Sequence, residues 1–310
     1  MAKATREAYG ETLTQLVKEN EKIVVLDADL AGSTKTAMAK KEAPDRFFDM
    51  GIAEADMMGH AAGLAASGYI PFASSFSMFC IGRAWEQIRN SIAYPRLNVK
   101  ICGTHSGITV GEDGVSHQAI EDIALMRAMP NMEVYVPSDA AEAEAVIRYV
   151  AGTKNPCYVR LSRSGIMDVY PEGTKFDFTK TNVVRHGEKA VCFATGVMVA
   201  MTLQAAEKLA QEGIEVEVVD VCAIKPCDEA GIVAELQKFN QVFTIEEHTV
   251  VGGLGGMISE IAGEKCPRWI HKIGLQDRFA ESGEAKALLA KYELDGDGIY
   301  KQIKEVLTKK

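Results

Sequence analysis

Glu54 is the residue whose setting is hardest to explain by structure alone. It stands in DMGIAEADMMGHAAGLAASG, residues 49–68, where an apolar strand ends and a helix of small residues begins. The plainer account is a carboxylate in the first turn of a helix, worth about 0.3–1 kcal/mol through the macrodipole. Its neighbours, however, are small or apolar, and a carboxylate buried without a partner is costly. Such a group takes a proton or meets something polar from outside the chain. Gly59, Ala61, Ala62, Gly63, Ala65 and Ala66 would let that helix approach another backbone closely. The residues alone therefore make Glu54 a helix-end charge in an awkward apolar setting, with no partner in its own segment.

A second group of reactive side chains sits in THSGITVGEDGVSHQ, residues 104–118. It holds His105, Glu112, Asp113 and His117, separated by Gly107, Gly111 and Gly114. Two imidazoles and two carboxylates suit proton transfer and hydroxyl recognition. A metal site is allowed by residue type, but the spacing matches no standard motif. A solvated loop with turn glycines is the plainer alternative, although a loop of this length is more often functional. Phe76 and Phe79, three apart, read either as core or as a platform for a planar ring. Arg6, His105 and Arg163 could converge as an anion clamp, against the simpler reading of surface salt bridges. The glycine run VVGGLGGM lacks the order of a phosphate loop and reads as a tight turn.

These residues need a scaffold, and the chain's periodicity supplies one. Residues 5–19 read as a helix, KIVVLDAD (22–29) as a buried strand, and 54–66 as the small-residue helix. Strand and helix then alternate as far as PCYVRLSR, with Ser138 as a helix N-cap and Asp139 in the first turn. The loop carrying His105 follows a strand, on the side where open α/β sheets bind ligands. Residues 166–185 break the rhythm with Pro, Gly and mixed polar residues. The alternation restarts from Glu188. The reading is α/β with two doubly wound domains, 1–165 and 186–310, joined by a linker over 166–185.

Composition narrows the function classes. The formal charge of -9 disfavours nucleic-acid binding, while a local Arg and His cluster could still hold a small anion. No apolar run approaches a membrane span, and the N-terminus has no apolar leader segment, so a cytoplasmic protein is expected. Seven scattered cysteines without a CxxC read as buried free thiols.

Two longer runs resemble a known family. IAEADMMGHAAGLAASGYIPFASSFSMF followed by GTHSGITVGEDGVSHQAIEDIALMRAMPNMEVYVPSD is similar to the pyrimidine-binding domain of transketolases. GLQDRFAESGEAKALLAKYELDGDGIY is similar to their C-terminal domain. The resemblance covers essentially the whole chain. It does not extend to a diphosphate-binding domain with its GDG…N metal motif; the GDG at Gly296, Asp297 and Gly298 belongs to the C-terminal tail. The resemblance thus implies the C-terminal subunit of a split transketolase. It would share thiamine diphosphate with an N-terminal partner that holds Mg2+ or a similar cation, in a heterotetramer with two copies of each chain.

What the resemblance implies for single residues follows. Glu54 would hydrogen-bond a ring nitrogen of the cofactor's aminopyrimidine and favour its imino tautomer; it would lie at or near a subunit boundary, with carboxylate and small-residue helix both unsatisfied in the isolated chain. Phe79, with Phe76 beside it, would stack on that ring. His117 would lie near the cofactor amino group and substrate oxygens as a proton relay. Asp113 would read a substrate hydroxyl, and Asp29 would lie on the thiazolium side. Arg6, Ser33, His105 and Arg163 would hold the terminal phosphate, or a sulfonate in its place, of a sugar substrate. Ala53, Ala55, Gly82 and Ser106 depart from the usual family pattern. The first pair points to a different partner interface and the second to a different pocket shape. The implied reaction is transfer of a two-carbon ketol unit from a ketose to an aldose. Alternatives sharing the cofactor are a β-type subunit of a 2-oxoacid dehydrogenase and a deoxyxylulose-phosphate-synthase-like enzyme. An alternative of another class is a non-catalytic scaffold. Glu246, Glu247 and His248 carry no expected chemistry, and the second domain is expected to serve subunit association.

Overall fold

The structure is a computed structural model that describes residues 3–165 and 167–309. IVVLD is buried at every position and forms β1 (Ile23–Asp27). β2 (Phe47–Asp49), β3 (Ile70–Phe76), β4 (Lys100–Thr104), β5 (Glu133–Tyr135) and β6 (Cys157–Arg160) join it in parallel. The second half supplies β7 (Asn182–Arg185), β8 (Ala190–Ala194), β9 (Val216–Asp220), β10 (Ala223–Lys225), β11 (Val242–Thr249) and β12 (Ile270–Leu275). Two sheets result, ordered β10-β5-β6-β4-β3-β1-β2 and β12-β11-β8-β9-β7. Each is parallel except for one antiparallel edge strand, β10 in the first and β7 in the second.

Helices cover both faces of the first sheet, and β1 shows how. Side chains alternate across a strand. Ile23 and Val25 pack with Tyr9, Leu13 and Ile147 of the helices Thr5–Glu19 and Ala140–Gly152. Val24 and Leu26 face the other way, onto Met57, Met58 and Ala61 of the helix Glu54–Ala66. The latter core continues into the second sheet through Val191, Phe193 and Val219. The two α/β domains therefore share one apolar core.

Three local expectations need correction. The stretch read as a linker ends in β7, which hydrogen-bonds β9, so its last four residues belong to the second sheet. Asp139, and not Ser138, caps the helix Ala140–Gly152; its carboxylate accepts the Glu142 N–H, while Ser138 is one residue too early to reach it. The glycine run after β11 does not stay a turn. It enters a helix, Leu254–Lys265, whose first N–H groups are taken by Glu246. Residues 78–93 are helical, but wide i→i+5 turns over Met78–Arg83 and Ile88–Ala93 flank a short α turn. Such widened turns recur at functional sites. All seven cysteines are free thiols, and six of them are buried. Among the described residues no helix is long and apolar enough to cross a membrane.

Candidate active site

Glu54 opens its helix and is 1 % exposed. It is not left unsatisfied, contrary to the sequence reading. Arg83 Nη1 donates to Glu54 Oε2 at 2.7 Å, and among the described residues this is the carboxylate's single side-chain partner. The Arg83 side chain is 53 % exposed, so a solvent-facing arm reaches in to meet a buried acid. Its guanidinium also lies 5.6 Å from the centre of the Phe79 ring. Sequence reasoning passed over Arg83, although its position four residues after Phe79, on the same helical face, was a usable signal.

The aromatic residues assemble beside this pair. β3 ends at Phe76 and the chain turns through Ser77 into the wide helical turns, which bring Phe79 alongside. The two rings are 6.0 Å apart and nearly parallel, at 18°. His105 lies over Phe76 with ring centres 3.8 Å apart. His117 meets Phe79 edge-on at 4.9 Å. Phe76 is buried, whereas Phe79 and His117 are partly open. A small polar network supports the platform. Ser77 and Ser106 hydroxyls are 2.5 Å apart, and Tyr158 Oη lies 3.0 Å from Ser77 Oγ and 2.6 Å from Asp122. Arg160 Nε donates to the same Asp122 oxygen at 2.8 Å. Gly103 permits this closeness, because a Cβ there would strike Ser77 and Tyr158. Ser106, one of the family departures, thus anchors the turn that carries Phe79.

Arg6, Ser33, His105 and Arg163 do come together. Arg6 Nε donates to the Arg163 carbonyl at 2.9 Å, and Arg6 Nη1 to the Ser33 carbonyl at 2.7 Å. Arg6 Nη1 also faces His105 Nε2 at 3.4 Å. A guanidinium can only donate, so that nitrogen carries a lone pair. The proton then sits on Nδ1, 2.9 Å from Thr104 Oγ1. Burial, with Arg6 and Arg163 nearby, pushes the imidazole down to about 3, so it is neutral at pH 7. Lys35, unnoticed in the sequence, adds to the same positive field. Arg163 donates to the Val110 carbonyl and pairs with Glu112 at 3.1 Å. The result is two guanidiniums and a lysine around a neutral imidazole, a setting suited to an anion.

Asp27 positions the loop that carries Ser33 and Lys35. Its carboxyl accepts from Leu30 N at 2.7 Å, Thr34 Oγ1 at 2.7 Å and Thr36 Oγ1 at 2.8 Å. Burial pushes it up to about 6 despite these bonds. Asp29 lies at the edge of this loop with φ +62, exposed, its N–H donating to Asp49 at 3.1 Å. Asp113 is exposed on the glycine loop. Neither carboxylate makes a side-chain hydrogen bond among the described residues, so the structure does not tie them to the cluster. Nor do three His, Cys, Asp or Glu side chains gather as a metal-ligand set among those residues.

The second domain buttresses the site. Glu247 Oε1 accepts the Thr109 N–H at 2.5 Å, and its carbonyl accepts from Arg160 Nη2 at 3.0 Å. His248 Nε2 accepts the Ala124 N–H at 3.3 Å. Glu246 caps the helix Leu254–Lys265. All three therefore gain a structural role: Glu247 and His248 hold the glycine loop and its following helix from behind, and Glu246 fixes the start of the helix Leu254–Lys265.

The chain thus joins a parallel α/β domain, with a buried acid and a ring platform at its strand ends, to a second α/β domain. Comparison with known proteins gives this two-domain arrangement a family. The chain matches "Transketolase, pyrimidine binding domain" over residues 1–167 and "Transketolase, C-terminal domain" over residues 179–299. The chain belongs to the transketolase family. A Methanocaldococcus jannaschii protein, provisionally named a transketolase C-terminal section, is 50 % identical over 310 residues, covering 99 % of this chain and 97 % of its own. The 6-deoxy-6-sulfo-D-fructose transketolase subunit SqwH of Clostridium sp. is 38 % identical over 305 residues, covering 98 % of this chain and 95 % of its own. A solved split-gene transketolase, described as an inactive β4 tetramer, superposes with a TM-score of 0.90 at 46 % identity, covering 99 % of each chain. This chain is thus similar from end to end to split-transketolase subunits.

Proposed function

We propose that this chain is the C-terminal subunit of a thiamine-diphosphate-dependent transketolase. It would transfer a two-carbon ketol unit from a ketose to an aldose, in the cytoplasm, and act only with an N-terminal partner. The observation that carries the reading is the buried Glu54 carboxylate beside the Phe76, Phe79 and His117 rings, with the Arg6 cluster joined to them through His105. A planar aminopyrimidine fits an acid and an open ring face so placed. The diphosphate and Mg2+ are assigned to the partner, in an assembly of two copies of each chain.

When bound, the cofactor supplies the electron sink for carbon–carbon cleavage. This chain's residues do the rest. Glu54 holds a proton at a ring nitrogen of the pyrimidine. Phe79 supports the ring, with Phe76 behind. His117 would move a proton at the substrate oxygens, Asp113 would bind a hydroxyl, and Asp29 would serve the thiazolium side. Arg6, Ser33, His105 and Arg163 hold the sugar's terminal anion. Phosphate is the default occupant; the sulfo-sugar relative supports a sulfonate as the other.

The test is a two-carbon transfer assay of this chain with its partner, thiamine diphosphate and Mg2+, over phosphorylated and sulfonated ketoses. Glu54→Ala is expected to lower kcat by about 10²–10⁴-fold. No ketol transfer from any donor, or unchanged turnover in the variant, would overturn the reading.

A further inference from the structure

Arg83 touches two of the groups assigned above to the pyrimidine. Its Nη1 hydrogen-bonds Glu54 Oε2 at 2.7 Å, and its guanidinium lies 5.6 Å from the centre of Phe79. A guanidinium is planar, donates in its own plane and stacks on aromatic faces. An aminopyrimidine with a proton held at its ring nitrogen offers a planar shape and a donating N–H edge of the same kind. From this geometry we propose that Arg83 is an internal stand-in for the pyrimidine. It occupies Glu54 and the Phe79 face in the chain without cofactor, and it must leave for the ring to dock.

The surroundings make that departure feasible. Glu54 is 1 % exposed and has no other side-chain partner among the described residues, so it needs an occupant. The Arg83 side chain is 53 % exposed and can return to water by rotation about its own bonds. Gly82, beside it, is exposed, and the helical turns here are already widened. Arg83 is thus a positioning residue. It keeps the acid oriented and spares it from standing empty, at the cost of competing with the cofactor.

Competition has a kinetic signature. An internal occupant multiplies the apparent affinity by the open fraction, which weakens it, and slows net association. It leaves dissociation unchanged, because the arm is already displaced in the complex. A charge-assisted bond of this kind corresponds to an effect on the order of tenfold.

The inference rests on the proposed function, and its test separates the two. Thiamine diphosphate binding to the reconstituted complex is measured by calorimetry and stopped flow for the natural protein, Arg83→Ala and Arg83→Lys, each checked by thermal unfolding. Arg83→Ala is expected to bind on the order of tenfold tighter, through faster association at unchanged dissociation. Arg83→Lys keeps the charge without the planar fork and should show a smaller gain of the same sign. Weaker or unchanged binding in both variants, while the natural protein binds, would overturn the stand-in role alone. Absence of binding by the natural protein would overturn both proposals.

Discussion

The imidazole of His105 lies over the Phe76 ring, with centres 3.8 Å apart, while its outer nitrogen faces Arg6. One residue thereby joins the ring platform to the cationic cluster. Burial and two guanidiniums push it down to about 3 from the ordinary 6.5. A depressed folded-state value contributes stability that is present above the unfolded pKa and lost as pH falls toward 3. In a nitrogen-resolved NMR titration, His105 should stay neutral between pH 8 and about 4. Titration near 6.5 would show that the ring is not held against the cations.

Arg6 should govern recognition of the anion and not the transfer itself. Its guanidinium links the Arg163 and Ser33 carbonyls and faces His105. Arg6→Ala is expected to raise KM for a phosphate- or sulfonate-bearing sugar by about tenfold or more. For an uncharged sugar, KM should move by no more than about twofold. Initial-rate kinetics on the reconstituted enzyme decide this. An equal loss for both sugars would remove Arg6 from the anion site.

Glu247 makes stability depend on pH. Burial at the domain junction pushes its carboxyl up from 4.5 to about 7. A raised folded-state value means the contribution is fully present below the unfolded pKa and is lost as pH rises through about 7. Glu247→Gln removes the titration and leaves an oxygen for the Thr109 N–H. The variant should match the natural protein near pH 4. It should become relatively more stable toward pH 8, by on the order of 3 kcal/mol at most. Urea unfolding across that range measures it, and a flat difference would contradict the assignment.

Gly107 meets the same carboxyl from the other side. Its φ is +76, and a Cβ there would fall on the Glu247 carboxyl group. Gly107→Ala should therefore destabilise by more than about 1 kcal/mol, combining backbone strain and overlap. Adding Glu247→Ala should recover the overlap part and leave the φ part. Strict additivity in that double-mutant cycle would mean that the two residues do not oppose each other.

Much of this was legible in the residues. The helices Thr5–Glu19 and Glu54–Ala66 begin and end where the sequence pattern puts them, because long runs with one apolar face leave little choice. The positive φ at Gly107, Gly111 and Gly114 was implied by glycine placed among polar residues. What stayed hidden depends on distant pairing. β7 and β10 are short edge strands defined by their partners and not by their own pattern. The pairing of Arg83 with Glu54 joins residues 29 apart, and only the fold determines that they meet. Glu247 and His248 looked idle for the same reason, since their partners lie in the other domain.

The antiparallel strand β10 belongs by chain order to the second half but completes the first half's sheet. A cut in the exposed stretch around Gly173, in the connection between the halves, would therefore not release two pieces. The fragments should remain clasped through this exchanged edge and the common core, and melt as a single unit. Engineering that treats the halves as interchangeable modules must move β10 with the half whose sheet it closes.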